Sequence, residues 1–237
     1  MKEPKEAFPY RPPSDEIRAK YSHLFSIDEP ISERWLKLLF DKAASLILLS
    51  LAAPILLLLK IFYMIEGLLI PENKGPMFFY YYAVSKGRIF RKYKIRLIKM
   101  DFIDQELAKE GKWEAYSSEW NKDSRTFIGS FVKKFYLDEI PQFWSVLVGD
   151  MSIIGPRPLA VIHYERDLHQ GNVTRKHLKG GLLGLGHIRK GKEDFGDPVY
   201  EYVYLDKYLK LSELELLRLD VGIILSGIKL ILKGEGY

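Results

Sequence analysis

The feature that most constrains this chain is a run of roughly 17 residues, Ala43 to Leu59, without a single charge. As a helix rising about 1.5 Å per residue it only just crosses a hydrocarbon core of about 30 Å. Ala52-Ala53-Pro54 lies near its middle, where the missing amide and the proline ring predict a kink or break. Lys37 and Lys42 precede the run and Lys60 follows it, so the positive-inside tendency would keep both ends on the cytoplasmic face. The residues ahead of it are too numerous and too acidic for a secretory signal. A buried helix of a soluble protein has the same composition, and the run alone leaves that reading open.

A chain of 237 residues accommodates one domain, or one domain with a membrane element. It contains no cysteine, which excludes disulfides and thiolate zinc sites and leaves chemistry to oxygen and nitrogen. A net charge of +5 favours an anionic partner, and nucleic acid, acidic lipid and nucleotide phosphates satisfy it equally.

Residues 1–30, with Pro4, Pro9, Pro12 and Pro13 among charges, read as an extended or weakly helical lead-in. After Gly75-Pro76, the stretch from Met77 to Arg96 reads as short strands. Lys133 to Leu147 has helical spacing. The stretch Gly180-Gly181-Leu182-Leu183-Gly184-Leu185-Gly186 is too glycine-rich for a helix and predicts a loop where backbone approaches something closely. From Leu214 to Leu232 apolar residues recur at helical intervals, predicting a long amphipathic helix that lies on a membrane or packs on the core.

Two carboxylates, Asp138 and Glu139, stand just ahead of Pro141 and Gln142. A proline there belongs to a helix's first turn, making Asp138 a candidate N-cap, and neighbours diverge by about 100° around a helix. The pair would therefore divide its work, one acid attacking phosphorus and the other holding a metal, or serve as a cap beside a solvated glutamate. In Gly155-Pro156-Arg157-Pro158 the prolines stiffen the backbone around an arginine suited to bidentate phosphate binding, although an ordinary turn reads the same way. On a strand, Lys92, Lys94 and Arg96 share a face, which reads as a phosphate-binding row, a solvated edge or a nucleic-acid patch. Arg125, Lys133 and Lys134 add cations before the acid pair. The histidines show no ligand spacing, and a magnesium site using one carboxylate, Glu139, plus substrate phosphates is the metal reading that remains.

Read in order, these motifs resemble the bacterial sugar transferase family, the monotopic polyprenyl-phosphate phosphoglycosyl transferases. The resemblance rests on Lys37-Leu38-Leu39-Phe40-Asp41 entering the apolar helix, Gly75-Pro76-Met77-Phe78-Phe79 and Tyr93-Lys94-Ile95-Arg96. It continues through Leu137 to Gln142, Gly149 to Pro158 and the terminal Lys233-Gly234-Glu235-Gly236. It implies a mostly helical α/β fold with few short strands: a lead-in over 1–34, a re-entrant membrane helix-break-helix over 35–66 turned at Pro54, and a compact cytoplasmic domain with amphipathic helices over 67–237. Implied too are an Asp138 nucleophile, Glu139 coordinating Mg2+, loss of UMP from a UDP-sugar, and a polyprenyl (undecaprenyl) phosphate acceptor at the cytoplasmic face of the bacterial inner membrane. Lipid is then a partner and nucleic acid is not.

By the same resemblance Arg157 binds phosphate, helped by Arg125, Lys133, Lys94 and Arg96, with Gln142, Pro156 and Pro158 completing the substrate site. Lys133 stands where the family usually has arginine, Tyr80-Tyr81-Tyr82 replaces an Arg-Gln-containing segment, and Ala53 replaces the serine before the proline. Leu183-Gly184-Leu185-Gly186-His187 replaces a Thr-Gly-Trp-Ala-Gln run. The rival functions are a membrane adaptor that keeps the fold without catalysis and a basic nucleic-acid-binding protein.

Overall fold

The computed structural model describes residues 11–29, 31–112, 121–189 and 191–232. The terminal Lys233-Gly234-Glu235-Gly236 motif therefore lies outside the described residues. The lead-in is helical where it is described: α1 (Asp15–Lys20) is capped by Ser14, whose side chain accepts from the Ile17 amide, and α2 (Ser22–Phe25) follows. Of the two alternatives, extended or weakly helical, the helical one holds here, and Ile17, Tyr21 and Leu24, recurring at helical spacing, are buried in the main core. Phe25 stacks on Tyr202 at 5.1 Å between centroids.

The apolar run belongs to α3 (Trp35–Leu69), which continues as one helix through Pro54. Its 35 residues span about 50 Å at about 1.5 Å each. Lys37, Asp41, Ser45, Leu59, Tyr63 and Glu66 are buried, and at about 100° per residue they fall within about 80° of arc. One stripe of the helix therefore rests on the domain near both ends. The other faces expose Leu46, Ile47, Leu51, Leu57, Leu58 and Leu68. The hydrogen bond lost at Pro54, which is exposed, sits between these two anchored ends, so packing on either side carries the helix across it.

The strands expected after Gly75-Pro76 form a hairpin, β1 (Phe78–Ser85) with β2 (Arg88–Ile95). Lys86 and Gly87, at φ 50° and 69°, make the two-residue left-handed turn that suits strand twist. A short strand β4 (Leu159–Ala160) pairs with β1 antiparallel, and β3 (Ser152–Ile154) pairs with β5 (Gly181–Leu183) in parallel.

The glycine-rich stretch is thus partly strand, and its close approach is to Gly155: a Cβ on Gly181 would lie 2.1 Å from the Gly155 nitrogen. The helical spacing of Lys133 to Leu147 divides into two helices, Phe127–Lys134 and Gln142–Val148, because Tyr136 takes a left-handed conformation between them. The helix Glu213–Leu232 is the amphipathic one expected. It buries Leu216, Asp220 and Ile223 against the core and exposes Leu214, Leu225 and Ile228.

Candidate active site

The acid pair follows directly from the left-handed Tyr136, φ 55°, which turns the chain into a single 3-10 turn, Leu137–Glu139. Asp138 is not the cap of the following helix; Pro141 holds that place, without a side-chain bond. The turn instead directs Asp138 inward, where it is 1% exposed and its Oδ2 lies 3.5 Å from Lys94 Nζ. Lys94 comes from the inward face of β2, as strand alternation predicts, together with Lys92, which lies over the Tyr81 ring.

Glu139 points differently, as neighbours on a helical turn must, and is about a third exposed. Its Oε1 lies 3.9 Å from Arg157 Nη2. Burial raises its pKa, but Arg157, then Lys94, Lys92 and Lys133, outweigh that and hold it down to about 2. One side of the domain thus gathers two carboxylates under four cations drawn from β2, the helix ahead of Tyr136 and the Gly155-Pro156-Arg157-Pro158 turn. A magnesium ion taking one carboxylate and completing its shell with phosphate oxygens fits Glu139, which is ionised and partly open. An all-protein cage does not fit, since no cluster of three acidic or imidazole side chains occurs among the described residues.

The turn that carries Arg157 is pinned from three sides. Asp41 of α3 accepts from Ser152 Oγ at 2.6 Å and from the Ile153 amide at 3.3 Å. The Ser85 hydroxyl donates to the Asp150 carbonyl at 2.5 Å and accepts from the Gly180 amide at 2.9 Å. The Arg157 carbonyl accepts from Arg175 Nε at 3.0 Å. Pro156 and Pro158 are buried at either side of Arg157.

Of the other expected residues, Gln142 is 2% exposed one turn beyond the acids, and its Nε2 has no hydrogen-bond partner among the described residues. Lys133 is half-buried and bears on Glu139 through its charge. Arg125 is half-buried in a bridge with Ile98. Arg96 departs from expectation. It is fully buried and donates to the carbonyls of Asn73, Pro76 and Ile98, each at 2.8 Å, so its fork ties loops together and does not face a substrate phosphate. Pro54 lies on the exposed side of α3.

Sequence reading gave Arg175 no part in the site, and marked His187 only as the end of the 183–187 replacement. His187 shares a cavity with Arg157, Gly155, Glu201 and Tyr204. Burial, then the Arg157 charge, lowers its pKa to about 3, so it is neutral near pH 7. Arg175 is buried in an ion cluster with Asp167 and Glu201. No spacing signals either, because their partners come from separate elements. Of the two unusual segments, residues 184–187 line the Arg157 cavity, while of the three tyrosines Tyr81 lies on the Lys92 face and Tyr80 and Tyr82 alternate away from it.

The model of the bacterial sugar transferase family matches residues 32–234. The chain is 33% identical over 165 residues to a galactosyl transferase of Streptococcus agalactiae, covering 67% of this chain and 36% of that protein. It is 30% identical over 216 residues to the undecaprenyl-phosphate galactose phosphotransferase of Salmonella typhimurium, covering 86% and 42%. The chain therefore spans about two fifths of these relatives' length. A shorter relative, from Bacillus subtilis, is 32% identical over 185 residues, 76% of this chain and 94% of its own length. A match across the apolar helix, the acid pair and the Pro-Arg-Pro turn establishes that this chain belongs to the bacterial sugar transferase family.

Proposed function

We propose that the chain transfers a sugar 1-phosphate from a UDP-sugar to a polyprenyl phosphate, releasing UMP, through a covalent intermediate on Asp138. The observation that carries the reading is the buried Asp138 beside Lys94, with Glu139 and Arg157 at its flank. A carboxylate set beneath several cations suits attack on a dianionic diphosphate, whose charge would otherwise repel it.

An Asp138 oxygen attacks the sugar-bearing phosphorus, and the bond from that phosphorus to the bridging oxygen breaks. UMP leaves with the electron pair, and an acyl phosphate remains. A polyprenyl phosphate oxygen then attacks the same phosphorus and expels the Asp138 carboxylate, giving the polyprenyl diphosphate sugar. Arg157 and Lys133 hold diphosphate oxygens and stabilise the charge that develops on them, and Lys94, 3.5 Å from Asp138, orients the attacking carboxylate. Magnesium, when bound at Glu139 with the diphosphate, would neutralise charge on the departing phosphate.

The acceptor is a lipid, and α3 supports a membrane placement. The helix is long and apolar enough to cross a membrane, yet its buried stripe holds one domain near both ends. A domain on the cytoplasmic face would keep both ends there, with the exposed apolar faces of α3 set into the near leaflet; a re-entrant course would require α3 to bend at Pro54.

The test is UMP release by detergent-solubilised protein supplied with magnesium, undecaprenyl phosphate and a panel of UDP-sugars. Release with one donor, lost in Asp138→Asn, supports the reaction. Silence across the panel from folded protein favours the non-catalytic adaptor.

A further inference from the structure

We propose that Arg175 is a positioning residue for Arg157, holding its carbonyl so that its side chain projects toward the diphosphate. This rests on the reading that Arg157 binds donor phosphate. Arg175 is 4% exposed, and its guanidinium serves three divergent acceptors. Nε donates to the Arg157 carbonyl at 3.0 Å, Nη1 to Asp167 Oδ2 at 2.9 Å, and Nη2 to Glu201 Oε1 at 2.5 Å.

Both acids are fixed in turn. Asp167 Oδ1 accepts from Asn172 Nδ2 at 2.9 Å, and Glu201 Oε2 accepts from Thr174 Oγ1 at 2.7 Å. The cluster therefore ties three separate elements, Val161–His169, Thr174–His177 and Val199–Lys210, to one backbone oxygen.

That oxygen lies in the peptide bond between Arg157 and Pro158, so holding it also sets the plane that joins the arginine to the buried proline. Holding it fixes the Arg157 backbone from behind while the side chain reaches Glu139 on the other side. Buried ion clusters contribute little to stability compared with apolar packing of the same volume. What this one supplies is a fixed direction, and a planar three-way fork is a task arginine performs and lysine cannot.

The experiment is a double-mutant cycle on the full chain in detergent, reading UDP binding by calorimetry, which needs no turnover. Arg175→Lys should weaken UDP binding about tenfold in the native background and less than about twofold in Arg157→Ala, because contacts that act through one another are not additive. Thermal melts identify folded protein; should Arg175→Lys not fold, Glu201→Gln, which keeps the shape, is read in the same cycle. Equal weakening in both backgrounds, or none in either, overturns the proposal. If Arg157→Ala alone leaves UDP binding unchanged, the phosphate-binding reading of Arg157 falls and the proposal falls with it. If UDP binds through Arg157 but no sugar phosphate is transferred, the positioning role stands while the proposed reaction fails.

Discussion

A carboxylate exposed by only 1% is costly to bury without a cation close by, and Lys94 stands 3.5 Å from Asp138. Lys94→Met removes one partner of that buried pair. It should cost roughly 3 kcal/mol in denaturant melts, as removal of one partner of a buried pair does, and should suppress UMP release. Glu139 has a folded pKa of about 2 against an ordinary 4.5. Its charge therefore contributes stability above about pH 4.5, and that contribution is lost as pH falls toward 2. His187, at about 3, is neutral through the physiological range. UMP release in the absence of acceptor should accordingly show no limb near pH 6.5 that vanishes in His187→Asn. A pH–rate profile containing such a limb would contradict the neutral imidazole. The acid pair and Arg157 were legible because prolines and glycines punctuate them. Arg96 was misread because strand alternation gives a residue's face and not what covers that face.

At the scale of elements, two contacts hold the site in shape. Glu66 of α3 accepts from the Phe127 amide at 2.5 Å and the Ile128 amide at 3.2 Å, placing a carboxylate at the start of the helix that carries Lys133. Glu66→Gln should lower stability by about 1–2 kcal/mol through loss of charge at that terminus, measured by thermal melts. The approach of Gly181 to Gly155 leaves no room for a methyl group, since backbone atoms stand 2.1 Å from its position. Gly181→Ala should cost at least about 2 kcal/mol and displace the Arg157 turn, so stability and UDP binding fall together. The hairpin was readable from alternation and from Lys86-Gly87. The unbroken course of α3 was not, because Lys37 and Asp41 find their partners at Asp220 and Ser152, over a hundred residues away.

For the whole molecule, family membership and the exposed apolar faces of α3 point the same way. Leu51 and Leu57 are 68% and 63% exposed. Replacing both with Asp should leave the fold intact by circular dichroism while releasing the protein from membrane fractions, at about 3 kcal/mol per charge moved out of lipid. Retention of the double variant in the membrane would refute the placement of α3. The family resemblance implied the mostly helical architecture, and sequence pattern identified the long apolar helix. The packing of the lead-in against Tyr202 and the cluster around Arg175 remained hidden, because both join segments that no local periodicity relates. The most direct test of the central claim is the intact mass of the protein after incubation with its UDP-sugar and magnesium but no acceptor. The account predicts a gain of one sugar phosphate on the peptide holding Asp138, discharged by polyprenyl phosphate and absent in Asp138→Asn. Turnover without that adduct in the native protein, or undiminished in Asp138→Asn, would contradict it.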